Sequence, residues 1–344
     1  MFAFYFLIIV LMLYGIKLNK NRYFEDYIGK PQCNAIKGIF ILVVFMRHVV
    51  PYVVNAGYEM PTFLDQIYIF IDGQIGQLLV VMFLFYSGYG VMTSIHKKGE
   101  YYIDDIPKKR ILTTFINFDI AVGIFLLMDF SLGIKVGTEQ YFLARFGWES
   151  VGNSNWYIFI ILLCYIFTYF SFKLSLRNGM YILIIMLISA VAILFIVKQP
   201  WWYNTLICYP AGMFYYLYKE RIENIIKKYY TLVVLGLFLI FSIMHITNLK
   251  VSSIVYAYTY NIESIVFALL IIILTMKIKI GNKILYWLGI NLFPLYIYQR
   301  LPMVLIRETL GEEWLVVNPY LYCIISILGM LLITYLYRFW RIVL

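Results

Sequence analysis

Long apolar runs separated by short polar stretches dominate this chain. Eleven apolar segments can be marked, at about 2–16, 37–56, 75–95, 111–131, 156–172, 180–197, 202–218, 230–247, 255–276, 284–306 and 320–340. About 20 apolar residues in a helix cross a hydrocarbon core of ~30 Å. Inside lipid the backbone must satisfy its own hydrogen bonds, so each run is predicted as a helix. The pattern therefore predicts an all-α integral membrane bundle of about eleven transmembrane helices. Two segments break the pattern. The 202–218 run is short and contains Pro210 and Gly212, which predicts a broken or tilted element. The 284–306 run carries Pro294, Gln299, Arg300 and Pro302, so it is not expected to be a simple span. The first run, MFAFYFLIIVLMLYGI, has no basic stretch before it and no small-residue cleavage site after it. It reads as a retained short span. Residues 1–30 are then an extra span with its linker, and 31–344 a single transmembrane domain.

The polar stretches give direction to the spans. Lys17, Lys20, Arg22, Lys30, Lys37, Lys97, Lys98, Lys108, Lys109, Arg110, Lys173, Arg177, Lys219, Arg221, Lys227, Lys228, Lys277, Lys279, Lys283, Arg338 and Arg341 fall on one side, 21 of the 28 basic residues. The other side holds only Lys135, Arg145, Lys198, Lys250 and Arg307. Basic loops stay in the cytoplasm, so the N-terminus is expected outside and the C-terminus inside, in a multi-pass protein of the cell membrane. This placement also explains the net charge of +10 as topology and removes nucleic acid as a partner. Only 13% of residues are charged, against about 25% in soluble domains, and no polar stretch is long enough for a separate soluble domain. The four cysteines, Cys33, Cys164, Cys208 and Cys323, have no paired spacing and read as small core residues. Walker, dinucleotide, HExxH and CxxC patterns are missing, so no metal ligands are assigned.

Against this apolar background a few polar residues stand out. Lys37 and His48 lie in AIKGIFILVVFMRHVVPY, eleven residues apart. Eleven steps of about 100° come to roughly three turns, so both side chains share one helix face, with a rise of about 16 Å. An ionisable residue at membrane depth marks a functional site by default. Asp119 and Glu263 sit about eight residues into their spans, and Arg47, Arg300, His245 and Asp129 fall in the outer half. Together they predict one shared polar cavity. Neutral imidazole is the form a general base needs, and either Asp119 or Glu263 could orient His48. The loop HKKGEYYIDDIPKKR, with Lys108, Lys109 and Arg110, suits a phosphorylated ligand such as a coenzyme A, although topology alone also produces such loops. In FYSGYGVM, Ser87 and its glycine neighbours suit close helix packing as well as chemistry. Trp156, in NSNWYIF, is an interfacial anchor or a platform for a sugar ring.

Taken in order, these pieces resemble the membrane acyltransferase family 3, the multi-span O-acyltransferases of surface polysaccharides. The matching patterns are the basic residue, ten residues and histidine (Lys37 and His48), the Ser-Gly pair of FLFYSGYG, the basic IPKKRIL, NWYIF, and LGINLFPLYIYQRLP, spread over about 30–340. The resemblance implies transfer of an acyl group, commonly acetyl, from cytosolic acetyl-CoA to a hydroxyl of an extracytoplasmic or lipid-linked glycan. Acetyl-CoA would be a substrate, with no permanently bound cofactor, and membrane lipids would surround the protein. His48 would be catalytic and Lys37 its basic partner, with CoA phosphates near Lys37 and Lys108–Arg110. Ser87 or Arg47 would face the oxyanion; Arg47, Ser87, Asp119, Trp156, Glu263, Gln299 and Arg300 would line the cavity. The chain departs from the family pattern at Thr113, where a basic residue often follows Arg110 by three positions, and at Gln299, where many members have histidine. The first span is an addition to the usual core. A competing class is a transporter or flippase for a lipid-linked glycan, which would also carry charges at mid-depth; no internal repeat of the kind common in transporters is visible.

Overall fold

The computed structural model describes residues 1–249 and 254–344. Lys250, one of the five basic residues assigned to the sparse side, lies outside the described residues. The chain is almost wholly helical. It begins with α1 (Phe2–Leu13), a short strand β1 (Ile16–Leu18) and the long α2 (Lys30–Asn55). Gly29 caps α2 and Pro31 occupies its first turn, where a missing N–H costs nothing. Pro51 sits inside the same helix. Its ring nitrogen cannot donate, which leaves the Arg47 carbonyl one turn back without its helical partner.

The stretch 57–74, between two of the apolar segments, is largely helical. Thr62 caps α3 (Phe63–Ile75), its hydroxyl accepting from the Asp65 N–H at 3.1 Å. Gly76, at φ 48°, breaks the path into a 3₁₀ turn that leads to α4 (Val81–Lys98). Next come α5 (Glu100–Ile106), a π-helical turn over Pro107–Leu112, and α6 (Thr113–Ser131). The basic trio Lys108–Arg110 lies on that π turn. The remaining helices are α7 (Thr138–Arg145), α8 (Trp156–Leu174), α9 (Gly179–Val197), α10 (Cys208–Leu217), α11 (Lys219–Asn248) and α12 (Ile254–Thr275). After strand β2 (Ile278–Ile280) follow α13 (Lys283–Ile290), α14 (Leu292–Tyr298), α15 (Arg300–Leu310), α16 (Glu312–Val317) and α17 (Pro319–Leu336).

Among the described residues, eight helical stretches are long and apolar enough to cross a membrane. They cover eight of the eleven apolar segments. The other three are the ones the sequence made short or interrupted. Helix α1 has 12 residues, about 18 Å at 1.5 Å per residue, and α10 has 10. The 284–306 segment is divided at Asn291 and Gln299 into α13, α14 and α15. Large apolar side chains remain on the outside, such as Ile196 at 81% exposed and Phe130 at 85%. That surface suits lipid, not water. All four cysteines are buried and free, as the sequence suggested.

Two helix crossings fix the architecture around α2 and α4, and both use glycine pairs. A Cβ added at Gly38 of α2 would lie 2.0 Å from the Leu285 carbonyl oxygen, and one at Gly289 of α13 would lie 1.8 Å from that of Asn34. The same reciprocal arrangement joins α4 and α10: a Cβ added at Gly88 would lie 1.9 Å from the Tyr209 carbonyl oxygen, and one at Gly212 would lie 2.0 Å from that of Phe85. In lipid, helices associate through close packing because no hydrophobic force drives them together, and only glycine allows backbones so near. At one end of the bundle, β1 pairs antiparallel with β2, Lys17 opposite Lys279. This ladder joins two basic loops that the charge pattern had placed on the same side.

Candidate functional site

Helix α2 carries two cavities along its length. Lys30, Asn34 and Lys37 recur at i, i+4 and i+7, so one face of its first turns lines the first. Helix α4 adds Tyr86, Ser87 and Gly90, the π turn adds Arg110, α8 adds Tyr157 and Tyr165, and α14 adds Tyr296. The volume of this lysine cavity is about 520 Å³. Arg110 is held by two aromatic partners: its Nε donates to the Tyr102 hydroxyl at 3.1 Å, and its guanidinium lies 5.9 Å from the centre of the Tyr165 ring. The Ser87 hydroxyl shares a hydrogen bond with Tyr165 at 3.0 Å. Its neighbour Gly88 makes the close crossing with α10, so the Ser-Gly pair divides its work between cavity and packing.

The second cavity lies three turns further along α2. Arg47, His48, Pro51, Tyr52 and Asn55 meet Arg300 and Arg307 of α15 and Glu312 of α16 around about 330 Å³. Arg47 donates to the Asp72 carboxylate of α3 and, at 2.7 Å, to its backbone carbonyl. Arg307 pairs with Glu308. Arg300 has no carboxylate partner among the described residues; its Nε and one Nη donate to the Tyr52 hydroxyl at 3.3 and 3.1 Å. The guanidinium groups of Arg300 and Arg47 act on His48, and Glu312 supplies a carboxylate to the same cavity lining.

Between the two cavities the wall is formed where α14 gives way to α15. Gln299 is fully buried, and its side-chain N–H donates to the Tyr296 carbonyl at 2.9 Å. The Gln299 amide lies beside the His48 ring. His48 Nδ1 and Gln299 Oε1 are both buried without a hydrogen-bond partner. Such orphaned polar atoms are uncommon and call for an explanation.

The single polar cavity expected from the sequence is therefore divided. Lys37, Ser87 and Arg110 gather in one half; Arg47, His48 and Arg300 gather in the other; Gln299 stands in the wall. Lys108 and Lys109 are exposed and line neither cavity, Lys109 bonding to Asp105 at 2.6 Å one turn away. Helical geometry explains the split, since three consecutive residues cannot share a face. Neither carboxylate expected beside His48 is there. Asp119 takes two hydrogen bonds of 2.7 Å from Arg145 of α7. Glu263, fully buried on α12, meets His245 Nδ1 at 2.7 Å and the Asn248 amide at 2.6 Å. Both are consumed in joining helices. Trp156 opens α8 and meets the Tyr157 ring edge to face, outside either cavity lining.

Several contributors were missed. Lys30 and Asn34 had a visible signal, their helical spacing from Lys37. Tyr157 stood in the NWYIF motif beside the tryptophan that drew attention. Tyr52 had the same kind of signal, four residues after His48 on α2; Arg307 and Asp72 had none, because long-range contacts are not written in local pattern.

Among comparisons with known proteins, the family model of an acyltransferase domain, that of acyltransferase family 3, matches residues 31–338. No curated protein and no solved structure matches the chain. The match takes in both cavities except for Lys30. The chain belongs to acyltransferase family 3 and is a multi-span helical membrane acyltransferase.

Proposed function

We propose that the protein transfers an acyl group, acetyl in the simplest case, from cytosolic acyl-CoA to a hydroxyl of an extracytoplasmic or lipid-linked glycan. The observation that carries this reading is the pair of cavities at the two ends of the Lys37–His48 face. The lysine cavity has three cations, Lys30, Lys37 and Arg110, suited to the phosphates of a coenzyme. Its end of the bundle carries the basic loops, which supports a cytosolic position. The histidine cavity then opens outside, where Arg47, Arg300, Glu312 and Asn55 offer donors and acceptors to a sugar. On this reading His48, which lines the histidine cavity, takes the proton of the acceptor hydroxyl as the acyl carbon arrives from the other side.

The test is transfer of labelled acetyl-CoA in membranes containing the protein, with mass spectrometry of the glycans. Wild-type protein adds one acyl mass to a glycan, and His48→Ala at equal protein level does not. Equal transfer by His48→Ala would remove His48 from the chemistry.

A further inference from the structure

A tetrahedral intermediate at the acyl carbon needs donors for its oxyanion. The residues the sequence offered for this are engaged. Ser87 shares its hydroxyl bond with Tyr165, and Arg47 is held by Asp72. Tyr296 is not. It is 1% exposed, it lines the lysine cavity, and its hydroxyl has no hydrogen-bond partner among the described residues. The backbone N–H of Tyr157, in the first turn of α8, faces that oxygen but falls short of hydrogen-bond geometry. An N–H could only donate to the phenol oxygen, so the phenol's own proton has no acceptor. Tyr86, the other cavity tyrosine with an orphaned hydroxyl, at least faces the Cys33 sulfur.

The position of Tyr296 is as telling as its chemistry. Its ring packs edge to face on Tyr157, centroids 5.1 Å apart. Its carbonyl anchors Gln299, which lies beside His48, and Arg300 of the histidine cavity is within charge range of its hydroxyl. It therefore stands in the lysine cavity at the wall shared with His48.

We propose that the Tyr296 hydroxyl is a catalytic oxyanion donor, which binds the carbonyl oxygen of the acyl thioester as the acceptor attacks. The proposal rests on the reading that the donor thioester enters through the lysine cavity. The acceptor hydroxyl oxygen forms the new C–O bond while His48 takes its proton. The carbonyl π pair moves onto oxygen, where the Tyr296 O–H meets it. The pair then returns, the C–S bond breaks, and the thiolate takes the proton from His48, giving an ester and a free thiol. An unpaired donor in the resting protein is what this role requires, since its partner appears only with substrate.

The experiment compares wild type with Tyr296→Phe in lipid nanodiscs, using labelled acetyl-CoA and native membrane glycan as acceptor. Removing one oxyanion donor is expected to lower kcat roughly 10²–10³-fold with KM for acetyl-CoA within about threefold. Because the hydroxyl makes no bond in the resting structure, the Tm of Tyr296→Phe should be equal or higher. A kcat within threefold of wild type overturns the proposal, and so does a loss of activity matched by a fall in Tm. If wild type transfers nothing from acetyl-CoA, the donor reading falls separately. Tyr296→Phe is then scored by the acyl content of glycan from cells expressing each form: a matching loss supports the donor role, and unchanged content overturns it.

Discussion

Replacing Gly38 by alanine tests the close crossing of α2 and α13 beside the lysine cavity. The added Cβ would stand 2.0 Å from the Leu285 carbonyl oxygen and 2.7 Å from its carbon. Ordinary contact begins near 3.4 Å, so α2 and α13 must separate by about 1 Å or more, and the obstacle is backbone, which cannot rotate away. Overpacking of this kind costs about 1–3 kcal/mol, and a backbone clash belongs at the upper end. Activity should suffer more than stability suggests, because Lys37 precedes Gly38 and Gly289 of the same crossing lines the lysine cavity. A displacement of about 1 Å can lower a rate on the order of 10²-fold. The control is Gly123→Ala on α6, where an added Cβ meets nothing within 4 Å and alanine is the better helix former. Thermal unfolding in detergent and acetyl transfer in membranes are measured for both. A lower Tm and lower rate for Gly38→Ala, with Gly123→Ala at or above wild type, is the expected result. Indistinguishable variants would refute the close crossing.

Other substitutions separate chemistry from scaffolding. Lys37→Met should raise KM for acetyl-CoA at least tenfold with a smaller effect on kcat, read from initial rates over a donor series, since it removes a cation from the cavity assigned to the coenzyme. Lys109→Met, whose side chain points out of that cavity, should leave KM unchanged. Glu263→Ala removes one partner of a buried pair and leaves His245 and Asn248 facing a void; a loss of about 3–5 kcal/mol is expected, seen as poor yield or early unfolding. Gln299→Leu keeps the volume but removes the oxygen beside His48. It should shift the pH profile of kcat while protein levels hold, and Gln299→His should restore part of the rate.

Much of the fold was legible because lipid imposes strict rules. Eight apolar runs became eight long helices, and the two runs carrying prolines among polar residues or glycine became the broken or short ones. Lys37 and His48 do lie on one helix, α2, each lining a cavity along it. Side-chain partners were less legible. Asp119 and Glu263 looked like site residues by depth alone, yet each meets a cation or imidazole from a neighbouring helix. Depth along a helix is a one-dimensional quantity, whereas the azimuth of one helix against another depends on packing contacts such as the Gly88–Tyr209 crossing. The trio Lys108–Arg110 shows the same limit on a smaller scale. A cluster in sequence was resolved by the turn into one inward and two outward residues.

The wall of Tyr296, Gln299 and His48 has an electrical consequence if the proposed two-sided reading holds. Hollows open to opposite faces would shorten the insulating path, so most of a transmembrane voltage would fall across those few side chains. A lone charge crossing it would feel about 2.3 kcal/mol per 100 mV. In the proposed reaction an acyl group crosses outward as a hydroxyl proton crosses inward, so the exchange is neutral overall. De-energising the membrane should then leave the equilibrium of acylation where it was, which sets this two-sided chemistry apart from processes driven by the membrane potential.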